Sequence, residues 1–142
     1  MKSKTVLIVY QDDLWARSLS TLFHETGYKV ETARMLGEMI RKVRNDETHV
    51  VLLDDEIEGM KACDIVPLLK QIHPRVQVIL ISSEESLSIA RRLRGAGIFY
   101  HAMKPIDPEE IRSAVECAYE KIERENMNEG FFFSLIPKLL PV

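Results

Sequence analysis

Short apolar runs alternate with helical stripes along this chain, and the alternation repeats five times. Residues 5–9 (TVLIV) form a continuous apolar run, the pattern of a central parallel strand covered on both faces. Over residues 14–26 the apolar positions Trp15, Leu19, Leu22 and Phe23 make one helical stripe, with Gly27 placed to end it. Tyr28, Val30 and Thr32 alternate with polar residues, which predicts a second strand with one partly exposed face. Leu36, Met39, Ile40 and Val43 predict a second helix, followed by a polar turn over 45–48. The run HVVLL at 49–53 is a third strand leading straight into Asp54, Asp55 and Glu56, and Gly59 marks a loop. The next helix carries Ile65, Val66, Leu69 and Ile72. Pro67 would damage its interior, so the expected start is late, with Asp64 as N-cap, and Pro74 closes it. Residues 76–81 predict a fourth strand ending at Ser82 and Ser83, then a helix with Leu87, Ala90 and Leu93. Gly97 precedes a fifth strand over 98–102, which ends at Lys104-Pro105. Asp107-Pro108-Glu109-Glu110 reads as N-cap, Pro at N1 and Glu at N3, a capping box for a last helix carrying Ile111, Ala114, Val115, Ala118 and Ile122.

Five strand–helix units in strict alternation imply an α/β fold: a parallel sheet with helices on both faces and right-handed crossovers. Ligands of such folds bind beyond the carboxyl ends of the strands, where strand order reverses. That rule directs attention to residues 10–13, 54–56, Ser82, Ser83 and Lys104.

Composition narrows the field. At 142 residues the chain holds one domain-sized core, and 46% hydrophobic with 29% charged residues reads as globular. A net charge of −3 with scattered basic residues argues against a nucleic-acid-binding face; the densest group, Arg91, Arg92 and Arg94, reads as a solvated helix face. No Gly-rich loop follows the first strand, so a dinucleotide or P-loop site is not indicated. Cys63 and Cys117 have no metal-type spacing and suit a reducing compartment. The first apolar run is too short for a signal-peptide core or a membrane span, and a cytoplasmic location is expected.

The strand ends bring together a carboxylate (Asp54), a hydroxyl (Ser82) and an ammonium (Lys104). Phosphoryl transfer to a carboxylate uses such parts: a nucleophile, and donors that stabilise the equatorial oxygens of the transition state. With VVLLDDEIEGM, VILISS and GIFYHAMKPI on successive strands, the chain over about residues 4–124 resembles the receiver domain of two-component response regulators. The resemblance implies a flavodoxin-like, doubly wound sheet of order 2-1-3-4-5, with Asp54 as phosphoacceptor, Ser82 and Lys104 as its catalytic partners, and a cis Lys104-Pro105 peptide. The resemblance implies a switch rather than an enzyme, and the few residues beyond 124 lead to the expectation of a stand-alone receiver without an output domain. A histidine kinase or phosphotransfer protein would donate the phosphoryl group. A downstream protein or a second copy would be recruited through the fourth and fifth elements or the C-terminal tail, with no nucleic acid and no membrane as partners.

The sequence departs from the family at its first motif. Two adjacent acidic residues, which organise Mg²⁺, normally follow the first strand. Counting back from Gly27, those positions fall on Tyr10 and Gln11, with Asp12 and Asp13 just after. Either the family register is restored, by a two-residue slip of the strand that preserves side-chain facing or by a shortened first helix, or the pair is absent. In the second case Tyr10 or Gln11 lines the pocket, Asp13 caps the first helix, and a metal site of Gln11, Asp54 and Glu56 would hold Mg²⁺ weakly or not at all. Glu56 adds negative charge near the acceptor, and His101 takes the family's aromatic switch position on the fifth strand. A pseudo-receiver, a binding module that works without phosphorylation, is the alternative these departures raise. Residues 125–142 read as a polar linker followed by an apolar extension (GFFFSLIPKLLPV), whose Pro137 and Pro141 argue against a long helix.

Overall fold

The computed structural model describes residues 4–45, 48–83 and 87–139, with side chains described except at 87–90 and from 129 onward. The elements follow in the order β1 (Thr5–Val9), α1 (Asp13–Glu25), β2 (Lys29–Ala33), α2 (Leu36–Arg44), β3 (Val50–Asp54), β4 (Glu56–Ile57), β5 (Met60–Lys61), α3 (Ala62–Ile72), β6 (Gln77–Ser82), α4 (Leu87–Ala96), β7 (Tyr100–Met103) and α5 (Pro108–Leu139). The main sheet has the order β2-β1-β3-β6-β7, and all its pairings are parallel. Counting only its five strands, this is the expected 2-1-3-4-5.

Period-2 alternation divides the core into two layers. Val6, Ile8, Val50, Leu52, Ile79 and Ile81 pack under α1 and α5, against Leu19, Phe23, Ile111, Val115 and Tyr119. Leu7, Val9, Val51, Leu53, Val78 and Leu80 pack under α2, α3 and α4, against Met39, Val43, Ile65, Leu69 and Leu93. The three central strands are fully buried, which is why they read as unbroken apolar runs. The Tyr119 hydroxyl donates to the Thr5 carbonyl, tying α5 to the start of β1.

Several local expectations are corrected. The N-cap of α1 is Asp12, whose Oδ1 accepts from Leu14 N at 3.0 Å; Asp13 is the first helical residue. Helix α3 begins at Ala62, so Asp64 lies in its first turn rather than at its cap, and Pro67 lies in its interior. A short hairpin, β4–β5, precedes it, and Ala62 N donates to the Asp55 carbonyl at 2.8 Å, so backbone pairing replaces a side-chain cap. The hairpin turns through Glu58 and Gly59, both at positive φ. At α5, Asp107 accepts from Glu109 N at 3.0 Å, but Glu110 accepts from the Tyr100 hydroxyl at 3.1 Å and closes no capping box. The anticipated linker is helical: α5 runs unbroken from Pro108 to Leu139. Glu, Lys, Arg and Met dominate residues 120–129 and favour helix, and the helix continues through Pro137 to Leu139. The Leu87 and Ala90 side chains and the apolar side chains of the tail lie outside the described residues. Among the described residues, no helix is long and apolar enough to cross a membrane.

Candidate functional site at the carboxyl edge of the sheet

Asp54 is the last residue of β3. Alternation places it on the face of Val50 and Leu52, under α1, and its side chain is almost fully buried. Tyr10 and Gln11 directly follow β1, whose Val9 pairs with Leu53, so there is no two-residue slip and the acidic pair is absent.

The Asp54 carboxylate is surrounded by N–H donors. Oδ1 accepts from Lys104 Nζ at 2.8 Å and from Asp55 N at 2.9 Å. Oδ2 accepts from Gln11 N at 2.9 Å, Trp15 Nε1 at 3.3 Å and Asp12 N at 3.4 Å. Burial alone would raise the Asp54 pKa. The Lys104 hydrogen bond and the Gln11 and Asp55 amides outweigh it and hold the carboxyl below its ordinary value. Burial likewise pulls the Lys104 pKa down, and the hydrogen bond and charge of Asp54 lift it above the ordinary lysine value. The pair is therefore carboxylate and ammonium at neutral pH. Lys104 follows the cis Lys104-Pro105 geometry expected of it, and its main-chain N–H donates to the Ser82 carbonyl at 2.8 Å.

A polar cavity of about 310 Å³ opens beside this pair, lined by Gln11, Asp12, Asp54, Asp55, Glu56 and Lys104. Its other carboxylates have donors of their own. Asp12 caps α1, Glu56 pairs with Lys61 at 3.7 Å, and Asp55 Oδ2 accepts from Ser83 N and Oγ, each at 3.2 Å, with Lys104 at 3.6 Å. Gln11 lines the cavity as anticipated and meets Asp54 through its main-chain N–H. Tyr10 packs against the core layer under α1 and lines a separate groove with Arg34 and Arg17. Ser82 is buried, continues the Leu80 face, and lines a neighbouring cavity with Asp55, Cys63 and Arg92. So the structure brings Asp54 and Lys104 into direct contact and sets Ser82 beside them in the next cavity. His101 lies half-buried on β7, where its register partner is Leu80.

Sequence reasoning missed Trp15, which appeared only as one member of an apolar stripe. A signal was present. Asp54 shares a face with Leu52, α1 covers that face, and a buried indole seeks an acceptor.

Residues 6–116 match the family model of the response regulator receiver domain. The chain belongs to the response regulator receiver family. The receiver is 30% identical over 118 residues to sporulation initiation phosphotransferase F of Bacillus subtilis, a match covering 82% of this chain and 94% of that protein. It is 25% identical over 118 residues to the DNA-binding transcriptional regulator NtrC of Azospirillum brasilense, covering 83% of this chain and only 24% of that protein. Among solved structures, a CheY-like receiver domain protein from Methanospirillum hungatei superposes with a TM-score of 0.81 at 24% identity, covering 87% of this chain and 99% of that one. The beryllofluoride-activated NtrC4 receiver domain dimer superposes with a TM-score of 0.77 at 26% identity, covering 83% and 98%.

Proposed function

We propose that this receiver is a protein-interaction module of two-component signalling that works without phosphorylation of Asp54. The observation that carries this reading is the donor set on Asp54: five N–H groups occupy the carboxylate. Mg²⁺ requires oxygen ligands in near-octahedral geometry. Here the Oδ2 side faces two amides and an indole, all donors, while Asp12 Oδ1 caps α1, Asp55 Oδ2 accepts from Ser83, and Glu56 pairs loosely with Lys61. Among the described residues no group of three or more His, Cys, Asp or Glu side chains is arranged to hold a metal ion. Gln11, Asp54 and Glu56 do not fit the cation that receiver phosphorylation uses. The charge of Asp54 is compensated by the protein itself.

The partners of such a module are a histidine kinase or phosphotransfer protein on one side and a target protein on the other, with binding rather than turnover as its activity. Both cysteines are free thiols, which supports a cytoplasmic setting.

The second reading is a stand-alone phosphoacceptor switch, with phosphoryl transferred from a histidine kinase to Asp54. One observation favours it: Lys104, held as a cation 2.8 Å from Oδ1, stands where it would neutralise an added phosphoryl group. Incubation with acetyl phosphate and MgCl2, read by intact-protein mass spectrometry, separates the two. The interaction-module reading expects no adduct. An adduct on wild type that is missing from Asp54→Asn establishes the phosphoacceptor and overturns the first reading.

A further inference from the structure

Trp15 is the chain's one tryptophan, and it is only 5% exposed on the first turn of α1. Its indole N–H donates to Asp54 Oδ2 across 39 residues of sequence. A Leu or Phe would fill the same apolar stripe, so packing does not explain the N–H. A buried indole N–H without an acceptor is costly, and so is a buried carboxylate without donors; the orientations of the two side chains therefore fix each other. The contacts continue outward. The Tyr10 ring meets Trp15 edge-on, with centroids 6.4 Å apart. The Arg34 guanidinium lies 5.3 Å from the Tyr10 centroid, donates to the Gln11 carbonyl at 3.4 Å and approaches the Asp13 carboxylate at 4.0 Å. A continuous line of contact thus runs from Asp54 through two aromatic rings to an exposed cation at the β2 edge.

We propose that Trp15 is a positioning residue for Asp54: its indole N–H ties the Oδ2 side of the carboxylate to α1, so that the charge on Asp54 is read out at the Tyr10–Arg34 surface between α1 and β2. This goes beyond the function proposed above and holds whether or not Asp54 accepts phosphoryl. Neutralising Asp54 weakens the bond that ties it to α1, and the aromatic pair carries the change to Arg34.

The test is a double-mutant cycle on the full chain. Trp15→Phe keeps an aromatic ring and removes the N–H; Asp54→Ala removes the acceptor. Urea unfolding is followed by circular dichroism. A hydrogen bond to a charged group predicts that Trp15→Phe raises the unfolding constant about tenfold or more beyond its effect in the Asp54→Ala background. Agreement between the two backgrounds within about twofold would reduce Trp15 to a packing residue and overturn the proposal.

A spectroscopic arm reads what packing alone would not move. The single indole cross-peak should shift in Asp54→Asn, together with the Tyr10 ring and Arg34 Nε resonances. In the Trp15→Phe background the Asn substitution should move Tyr10 and Arg34 less than half as far. An indole peak unmoved by Asp54→Asn contradicts the proposal even if Trp15→Phe fails to fold. Neither arm involves phosphoryl transfer, so failure here and failure of the interaction-module reading are separable.

Discussion

Replacing Lys104 with methionine keeps most of the stem volume and removes the cation from a nearly buried carboxylate. The exposed fractions of the Asp54 and Lys104 side chains are 4% and 25%. Breaking a buried pair by deleting one partner costs roughly 3–5 kcal/mol when nothing else supports the remaining charge. Here four other N–H donors stay in place, so the expected cost at pH 7 is about 1.5–3 kcal/mol, the range for a hydrogen bond to a charged group. The second contact, Lys104 to the more exposed Asp55 at 3.6 Å, adds little. The pH dependence carries the sharper test. In wild type the folded pKa of Asp54 is depressed, so its contribution is fully present above the unfolded value near 4 and is lost as pH falls through the lower folded value. Without Lys104 the burial effect gains weight, the carboxyl titrates at higher pH, and the penalty shrinks as it protonates. The difference between wild type and Lys104→Met, measured by urea unfolding at pH 7, 4.5 and 3.5 with unchanged m, should therefore fall with pH. In an Asp54→Asn background it should be small and flat. A variant as stable as wild type at pH 7, or a penalty of equal size at pH 3.5, would refute the pairing argument.

Asp12→Ala should cost about 1 kcal/mol by removing the α1 N-cap, whereas Asp13→Ala should change stability by less than about 0.5 kcal/mol; urea midpoints of the two variants check the cap assignment. Leu52→Ala, at a fully buried position at the centre of the sheet, should cost about 2–5 kcal/mol, and a loss under about 1 kcal/mol by thermal or urea unfolding would contradict the two-layer core. Tyr119→Phe should cost about 1–2 kcal/mol by removing the bond to the Thr5 carbonyl. Burial raises the Tyr119 pKa, so its protonated form stabilises the fold below the unfolded value near 10 and that contribution is lost as pH rises above it. Stability measured from pH 9 to 11 should accordingly fall more in wild type than in Tyr119→Phe.

The sheet was legible because burial on both faces leaves β1, β3 and β6 as unbroken apolar runs, bounded by Gly27, Gly97 and Pro74. Asp54 and Lys104 followed from the rule that ligands gather at strand ends. The start of α3 was not legible. Pro67 dominates any local reading, while the contact that begins the helix is a backbone bond to Asp55, seven residues before Ala62. The choice between Asp12 and Asp13 as cap turned on where β1 ends, which pairing with β2 and β3 decides. The extension of α5 past residue 124 was hidden by Gly130 and Pro137, two strong punctuators outvoted by the helix formers before them. Ser82 shows the limit of reading a site as a set of residue types. It ends its strand as expected, but alternation gives it the Leu80 face while Asp54 takes the Leu52 face. Trp15 was hidden because an apolar stripe records burial and not the direction of an N–H.

The claim at the centre is that protein donors, rather than a bound cation, satisfy the Asp54 carboxylate. The most direct measurement is a titration of the uniformly ¹⁵N-labelled chain with Mg²⁺ and beryllofluoride, following the amides of Gln11, Asp12, Asp55 and Ser83 and the Trp15 indole. No saturable shift of these resonances at millimolar Mg²⁺ is the expected result. Saturable shifts centred on Gln11, Asp55 and the indole, abolished in Asp54→Asn, would contradict it.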